Sequence, residues 1–291
     1  MNPLFFAVLV TLGAFAPRPA ELELERALPV DGLIRAEPSG LTIRDGALYT
    51  VSDNHTDDIY RLRLEADRAV MEPAIPIVVP DGVRGDYEGI TGDGNGGFYL
   101  ASESQFRILH VPDGGKPAAW VTPSLEAAGK SAGLFQFRGG YFEGIAQIDA
   151  THFLLCAERQ PRGLMFVNIA SVPPSTESFV MMEPTVQPRG LRFPDFTDLW
   201  VTGGAIYVLE RNAEIISIIE RTEKSVTVAP WRSFRRTVDR EDLRYADQRF
   251  GMAEGLAFDD ASVYIILDNN GASRKSNLAD VRPLLLIFQR Q

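Results

Sequence analysis

One unit recurs five times along this chain with the same internal order, and copies of one unit bury their apolar faces by stacking on one another. The copies read PSGLTIRDGALYTVSDN from Pro38, YEGITGDGNGGFYLASES from Tyr87, FEGIAQIDATHFLLCAER from Phe142, TDLWVTGGAIYVLERN from Thr197 and AEGLAFDDASVYIILDNN from Ala253. Each has a polar or acidic start, an apolar pair, a Gly/Asp/Asn turn and a β-rich run that ends at an acid. The first polar positions, Ser39, Glu88, Glu143, Asp198 and Glu254, are 49, 55, 55 and 56 residues apart. Spacings of this size belong to the four-stranded blades of β-propellers.

The patterning inside each period supports that reading. Leu41 to Ile43 and Leu48 to Val51 flank Asp45-Gly46, a pair suited to a tight hairpin turn. A third strand is predicted over Ile59 to Leu64 and a fourth near Ile75 to Val79. Later third strands fall at Arg107 to Val111, Leu164 to Ile169, Ile215 to Glu220 and Pro283 to Gln289. The last unit then lacks an outer strand, and the alternating segment Glu21 to Leu28 can supply it, which closes the ring and protects its edges. The expected fold is an all-β propeller of four-stranded antiparallel blades, five in number, or six if Pro112 to Gly140 hides another. A short helix is predicted within Thr122 to Lys130, and Arg235 to Gln248 reads as a charged loop with one helical turn.

Before the first unit, Leu4 to Phe15 is an apolar run of signal-peptide length, too short to span a bilayer, followed by small-residue sites ending at Ala16 and Ala20. Residues 1–20 are therefore expected to be a signal peptide and 21–291 a single propeller domain, periplasmic or secreted, with no membrane span after processing. An uncleaved anchor or a buried strand is the other reading of the same run. Cys156 is the only cysteine, so no internal disulfide can form, and its apolar neighbours point to a buried, inert thiol.

Twenty-nine Lys and Arg against 39 Asp and Glu give a net charge of -10. Such a field repels nucleic acid and draws cations, and no basic cluster opposes it. Adjacent antiparallel strands place the start of each first strand and the end of each second strand at one mouth of the channel. One ring is thus Ser39, Glu88, Glu143, Asp198 and Glu254, and a second is Asp53, Glu103, Glu158, Glu210 and Asp268. Nine carboxylates so gathered need protons, N–H donors, basic partners or a cation.

Hard cations take carboxylate, carbonyl and water oxygens, so Glu88, Glu143, Asp198 and Glu254 are candidate ligands for Ca²⁺, or for Mg²⁺. The same acids could instead tie one blade to the next, and the sequence leaves both readings open. Glu143 and Glu88, with Arg159 and Arg211, are the candidate catalytic set. Asn54, His55 and Asn269 are candidate ligand contacts beside Asn270-Gly271, a pair that also serves ordinary turns. The three histidines lack zinc spacing. No G-x-S-x-G elbow, P-loop or dinucleotide motif is present, so hydrolysis here would use activated water.

The motifs Ser39-Gly-Leu with Val51-Ser-Asp53, Glu88-Gly-Ile, Phe142-Glu-Gly-Ile with Ala157-Glu-Arg159, Asp198-Leu with Leu209-Glu-Arg211, and Glu254-Gly-Leu with Leu267-Asp-Asn269 run from residue 38 to 270. In their order and spacing the chain resembles the exported propellers termed phytase-like, or "esterase-like activity of phytase", and the related SdiA-regulated group. The resemblance implies an exported, calcium-associated propeller and favours hydrolysis of a small anionic phosphoester or ester. The alternative is a non-catalytic propeller that holds a structural cation and meets a protein partner at its rim.

Overall fold

The computed structural model describes residues 17–79, 82–83, 85–223, 225–247 and 249–290. The expected signal segment falls mostly outside them. The first strand, β1 (Leu24–Asp31), precedes the first repeat. That repeat folds as β2 (Pro38–Arg44), β3 (Ala47–Ser52), β4 (Asp58–Leu64) and β5 (Ala69–Pro76). The second contains β6 (Tyr87–Gly92), β7 (Phe98–Ser102), β8 (Arg107–Val111) and the short β9 (Ala119–Trp120), followed by helix α1 (Glu126–Ser131). The third is β10 (Phe142–Gln147), β11 (His152–Ala157), β12 (Gly163–Asn168) and β13 (Ser175–Val180). The fourth is β14 (Asp198–Thr202), β15 (Ala205–Glu210), β16 (Ile215–Arg221) and β17 (Val226–Ser233), followed by the single turn α2 (Arg235–Val238). The fifth has β18 (Ala253–Phe258), β19 (Ser262–Leu267) and β20 (Leu284–Gln289).

The second, third and fourth repeats are separate four-stranded antiparallel sheets, each in sequence order. The first and fifth share one eight-stranded sheet of order β18-β19-β20-β1-β5-β4-β3-β2. There β1 completes the fifth repeat by antiparallel pairing with β20, Leu28 opposite Leu285, and only Val30 and Asp31 touch β5, in parallel. Residues just before β1 are anchored to the fourth repeat: the Arg18 guanidinium donates to the Ala213 carbonyl (2.8 Å) and the Ser233 N–H to the Ala20 carbonyl (2.8 Å).

Strand alternation explains how the sheets stack, because successive side chains leave opposite faces. Phe153 and Leu155 of β11 pack toward the second repeat with Ala101 and Ile108, whereas Leu154 and Cys156 pack toward the fourth with Leu199 and Val208. Equivalent apolar layers join the first repeat to the second, through Tyr49, Val51, Ile90 and Phe98. They also join the fourth to the fifth through Leu209, Leu256 and Ile265, and the fifth to the first through Leu41, Leu62, Ile266 and Leu285. The apolar core is thus a cycle of layers between face-packed sheets, with the innermost strands β2, β6, β10, β14 and β18 around the axis. The Cys156 thiol is fully buried in one layer, where burial pushes its pKa up, away from reactive thiolate.

Two local expectations shift. The fourth strand of the first repeat runs Ala69–Pro76 rather than Ile75 to Val79, because the turn closed by Glu65 N–H on the Arg68 carbonyl (2.8 Å) starts the return immediately after β4. Between Pro112 and Gly140, β9 and α1 are the only regular elements among the described residues, so that connection holds no further sheet.

Candidate functional site

The marker positions owe their orientation to an irregularity at the start of the innermost strands. In β6, β10 and β18 the pairing register slips across the Glu-Gly step, and in β2 it slips just after Ser39. Such a bulge re-aims a side chain. The glycine that follows is required by close approach: a Cβ on Gly89 would lie 2.5 Å from the Glu143 carbonyl oxygen, and one on Gly144 would lie 2.6 Å from Asp198 Cα. Each innermost strand therefore presses its backbone against the next, and Ser39, Glu88, Glu143 and Glu254 line one mouth of the channel.

Asp198 differs because Leu follows it and its register is unbroken, Asp198 opposite Leu209. Its carboxylate is fully buried and does not line the mouth. Oδ2 accepts the N–H groups of Leu256 (2.7 Å) and Leu41 (3.1 Å), and Oδ1 accepts Leu199 N–H (2.8 Å). Burial pushes its pKa well up while those donors oppose the shift. As a fastener between the fourth, fifth and first repeats, it is not placed to hold an ion with the other candidate ligands.

The mouth encloses a cavity of about 300 Å³ lined by Ser39, Asp53, Glu88, Glu103, Glu143, Glu158, Arg159, Arg211, Glu254 and Asp268, with Asn270 and Phe250 at its edge. Four of the five second-ring acids are there. Glu210 is the exception: buried, it takes a 2.6 Å ion pair from the equally buried Arg162, whose guanidinium also lies 4.3 Å over the Phe196 ring. Of the proposed ligand contacts, His55 Nε2 engages the Ile34 carbonyl (3.0 Å), and Asn269 Nδ2 donates to the carbonyls of Ala272 (2.6 Å) and Val281 (2.8 Å). Both act within loops, and Asn54 is exposed outside the cavity lining.

The cavity has two chemically distinct sides. On one, Asp53, Asp86 and Glu88 each offer an oxygen within 4.8 Å of the others. The Ser39 hydroxyl donates 2.7 Å to Glu88 Oε2, and among the described residues no cationic side chain pairs with any of the three acids. Burial and the neighbouring Asp53 push Glu88 well up, and burial with Asp86 raises Asp53. Burial and Asp86 also push Glu103 up to about 7, although it accepts the Tyr141 N–H at 3.3 Å. Asp268 is likewise pushed up to about 7 by burial. Asp86 escaped the sequence reading because it lies outside both rings. The available signal was alternation, which puts a residue two positions before Glu88 on the same face of the chain.

On the other side Arg211 is surrounded by acids. Its guanidinium donates to Glu158 Oε1 and Glu254 Oε1, and through Nε to Asp195 Oδ2 at 3.0 Å. Burial alone would lower its pKa, but Glu254, Asp195 and Glu143 raise it. Arg159 pairs with Glu158 and remains partly exposed, 5.8 Å from the Phe137 ring. Burial first, then Glu88 and Glu254, push Glu143 well up. Asp195, a second acid outside the rings, holds Arg211 and also accepts Asn212 N–H (2.9 Å).

A ring of face-packed four-stranded sheets with a carboxylate-lined channel mouth defines an acidic β-propeller. The chain belongs to the Phytase-like family, described as "Esterase-like activity of phytase", which it matches over residues 36–271. No curated protein matches it in sequence. Among solved structures it is similar to the PQQ-bound aldose sugar dehydrogenase of Streptomyces coelicolor, at 14% identity and TM-score 0.49 over 94% of this chain and 99% of that one. A chain of a nidogen/laminin complex is similar at 11% identity and TM-score 0.46, covering 85% of this chain and 79% of that one. The virginiamycin B lyase of Staphylococcus aureus is similar at 14% identity and TM-score 0.38, covering 87% and 80%.

Proposed function

We propose that the chain is an exported, divalent-cation-dependent hydrolase of small phosphate or carboxylate esters, working at the acidic mouth. The observation that carries this reading is the Asp53, Asp86 and Glu88 trio, whose oxygens lie within 4.8 Å of one another without a paired cationic side chain among the described residues. Three carboxylates so close repel one another strongly unless protonated or bridged by positive charge. An all-oxygen donor set suits a hard ion, Ca²⁺ first and Mg²⁺ second. When bound there, the ion would neutralise the trio and supply positive charge to a phosphoryl or acyl oxygen.

The chain's own groups divide the remaining work. Glu103, pushed up to about 7 by burial and the neighbouring Asp86, is suited to accept a proton from water near neutral pH. Arg159, the more exposed of the two mouth arginines, offers N–H donors to the anionic group. Arg211 has committed its guanidinium to three acids, so it positions Glu158 and Glu254 rather than meeting substrate.

Melting curves with Ca²⁺, Mg²⁺ and Mn²⁺, paired with hydrolysis of p-nitrophenyl phosphate and p-nitrophenyl acetate, test the proposal. Cation-dependent turnover that Asp86→Asn removes is the expected result. Absence of both a melting shift and cation-dependent turnover would end it.

One observation favours the non-catalytic alternative. Leu191 (99% exposed), Phe193 and Phe250 (55% exposed) lie on connections that enter β14 and β18 at the acidic mouth. Exposed apolar side chains gathered around a polar cavity are a feature of partner-binding surfaces. Cation binding without turnover on either ester would favour it.

A further inference from the structure

The Arg211 side of the cavity is left short of hydrogen-bond donors. Glu158 is 1% exposed and Glu254 7%, yet among the described residues Oε2 of each accepts no hydrogen bond. Arg211 reaches only their Oε1 atoms. A buried acceptor without a donor is destabilising, and in native proteins it commonly marks a missing water, ion or ligand. Charge points the same way. With all groups ionised, the four acids Glu143, Glu158, Asp195 and Glu254 exceed the two guanidinium groups of Arg159 and Arg211 by two negative charges.

A partner that answers both deficits is positively charged, rich in donors and small enough for a cavity of about 300 Å³. A second bare divalent ion fits poorly. Among the described residues only Asp53, Asp86 and Glu88 bring three ligand oxygens within 4.8 Å of one another, and an ion near Glu158 and Glu254 would face the Arg211 charge bonded to both. A primary ammonium group carries one positive charge and three N–H donors, so it answers both deficits with less repulsion.

We propose that Glu143, Glu158 and Glu254 form a subsite for a protonated primary amine, so that the cavity takes an aminoalkyl phosphate, its phosphate toward the Asp53, Asp86 and Glu88 side. The phosphate half rests on the hydrolase reading above, whereas the amine half rests on the two orphaned oxygens and the excess charge. Such a substrate is a zwitterion, which also relieves the repulsion that a net charge of -10 exerts on a simple phosphate.

Calorimetric titration of the calcium-loaded protein with 2-aminoethyl phosphate and ethyl phosphate tests the subsite. The amine should tighten binding by about tenfold or more, as expected for hydrogen bonds to charged groups. Glu254→Gln should bring that ratio toward one. Glu143→Gln, which disturbs no ion pair of Arg211, should do the same if Glu254→Gln does not fold. Equal affinity for the two ligands in the wild type, or a ratio unchanged in a folded variant, overturns the proposal. A melting titration with ethylammonium separates the two readings. A rise that Glu143→Gln abolishes upholds the amine subsite even where ethyl phosphate does not bind, an outcome that counts against the hydrolase alone.

Discussion

Arg211 and Glu158 follow the second strands of consecutive repeats, β15 and β11, and their side chains meet in a buried hydrogen-bonded ion pair. The same guanidinium holds Asp195 and Glu254, so one cation joins the third, fourth and fifth repeats at the mouth. Removing one partner of a buried charge set strands the others in a medium that solvates them badly. Arg211→Ala should therefore destabilise the fold by about 3–5 kcal/mol, read from urea unfolding. Arg211→Lys should recover only part, since an ammonium lacks the planar fork that serves several acids. A change below about 1 kcal/mol in Arg211→Ala would show that the hub does not hold the ring together.

Glu103 and Asp268 give the cation-free protein an unusual pH response. Both are pushed up to about 7, mainly by burial. Between the ordinary carboxylate range and pH 7 the folded state thus binds more protons than the unfolded chain, and stability falls as pH rises through that window. Glu88 and Glu143, displaced in the same direction, add to the trend. The melting temperature in a chelator should be lower at pH 8 than at pH 5.5. Saturating Ca²⁺ should restore much of it at pH 8, with about 2.7 kcal/mol gained at a hundred times the dissociation constant. A chelated protein more stable at pH 8 than at pH 5.5 would contradict the burial of these acids.

Asp198 and Asp86 make opposite predictions. Asp198→Asn replaces a carboxylate that accepts three backbone N–H groups and brings donors toward donors. It should lower stability by about 1–3 kcal/mol, yet leave the calcium-induced melting shift in place. Asp86→Asn removes charge from the trio and should abolish the shift at little cost to the chelated protein. Loss of the shift in Asp198→Asn, with its retention in Asp86→Asn, would reverse the assignment of ligands.

Gly144 tests the close approach of the innermost strands. A methyl group there would lie 2.6 Å from Asp198 Cα, a backbone atom unable to rotate away. Gly144→Ala should cost about 1–3 kcal/mol or more through overpacking, measured by urea unfolding. Wild-type stability would show that the two strands separate freely.

The repeat made the ring legible because marker spacing and strand alternation are local properties of the chain. The starts of β6, β10 and β18 followed from pattern alone. So did the outer strand supplied from before the first repeat, although its alternation predicts Glu21 to Leu28 and the strand lies three residues later, at Leu24–Asp31. The site was only half legible, because equivalent repeat positions need not point alike. Glu88, Glu143 and Glu254 sit at bulges made by a following glycine, whereas Asp198 is followed by Leu199 and turns inward to fasten backbone. Glu210 leaves the mouth for the same kind of reason, since Arg162, 48 positions earlier, pairs with it. Asp86 and Asp195 lie outside the repeat rhythm: Asp86 is signalled only by alternation with Glu88, and the Asp195 partnership with Arg211, 16 positions on, has no short-range signature.

The seam between β1 and β20 carries a consequence for how the molecule assembles. Strands at opposite ends of the sequence must find each other before the fifth sheet is complete, and contacts of such long separation are slow to form. Until then the backbone of β20 that will receive β1 stays open to whatever strand arrives first. A soluble peptide copied from residues 24–31 should therefore compete with the chain's own segment during refolding and delay closure.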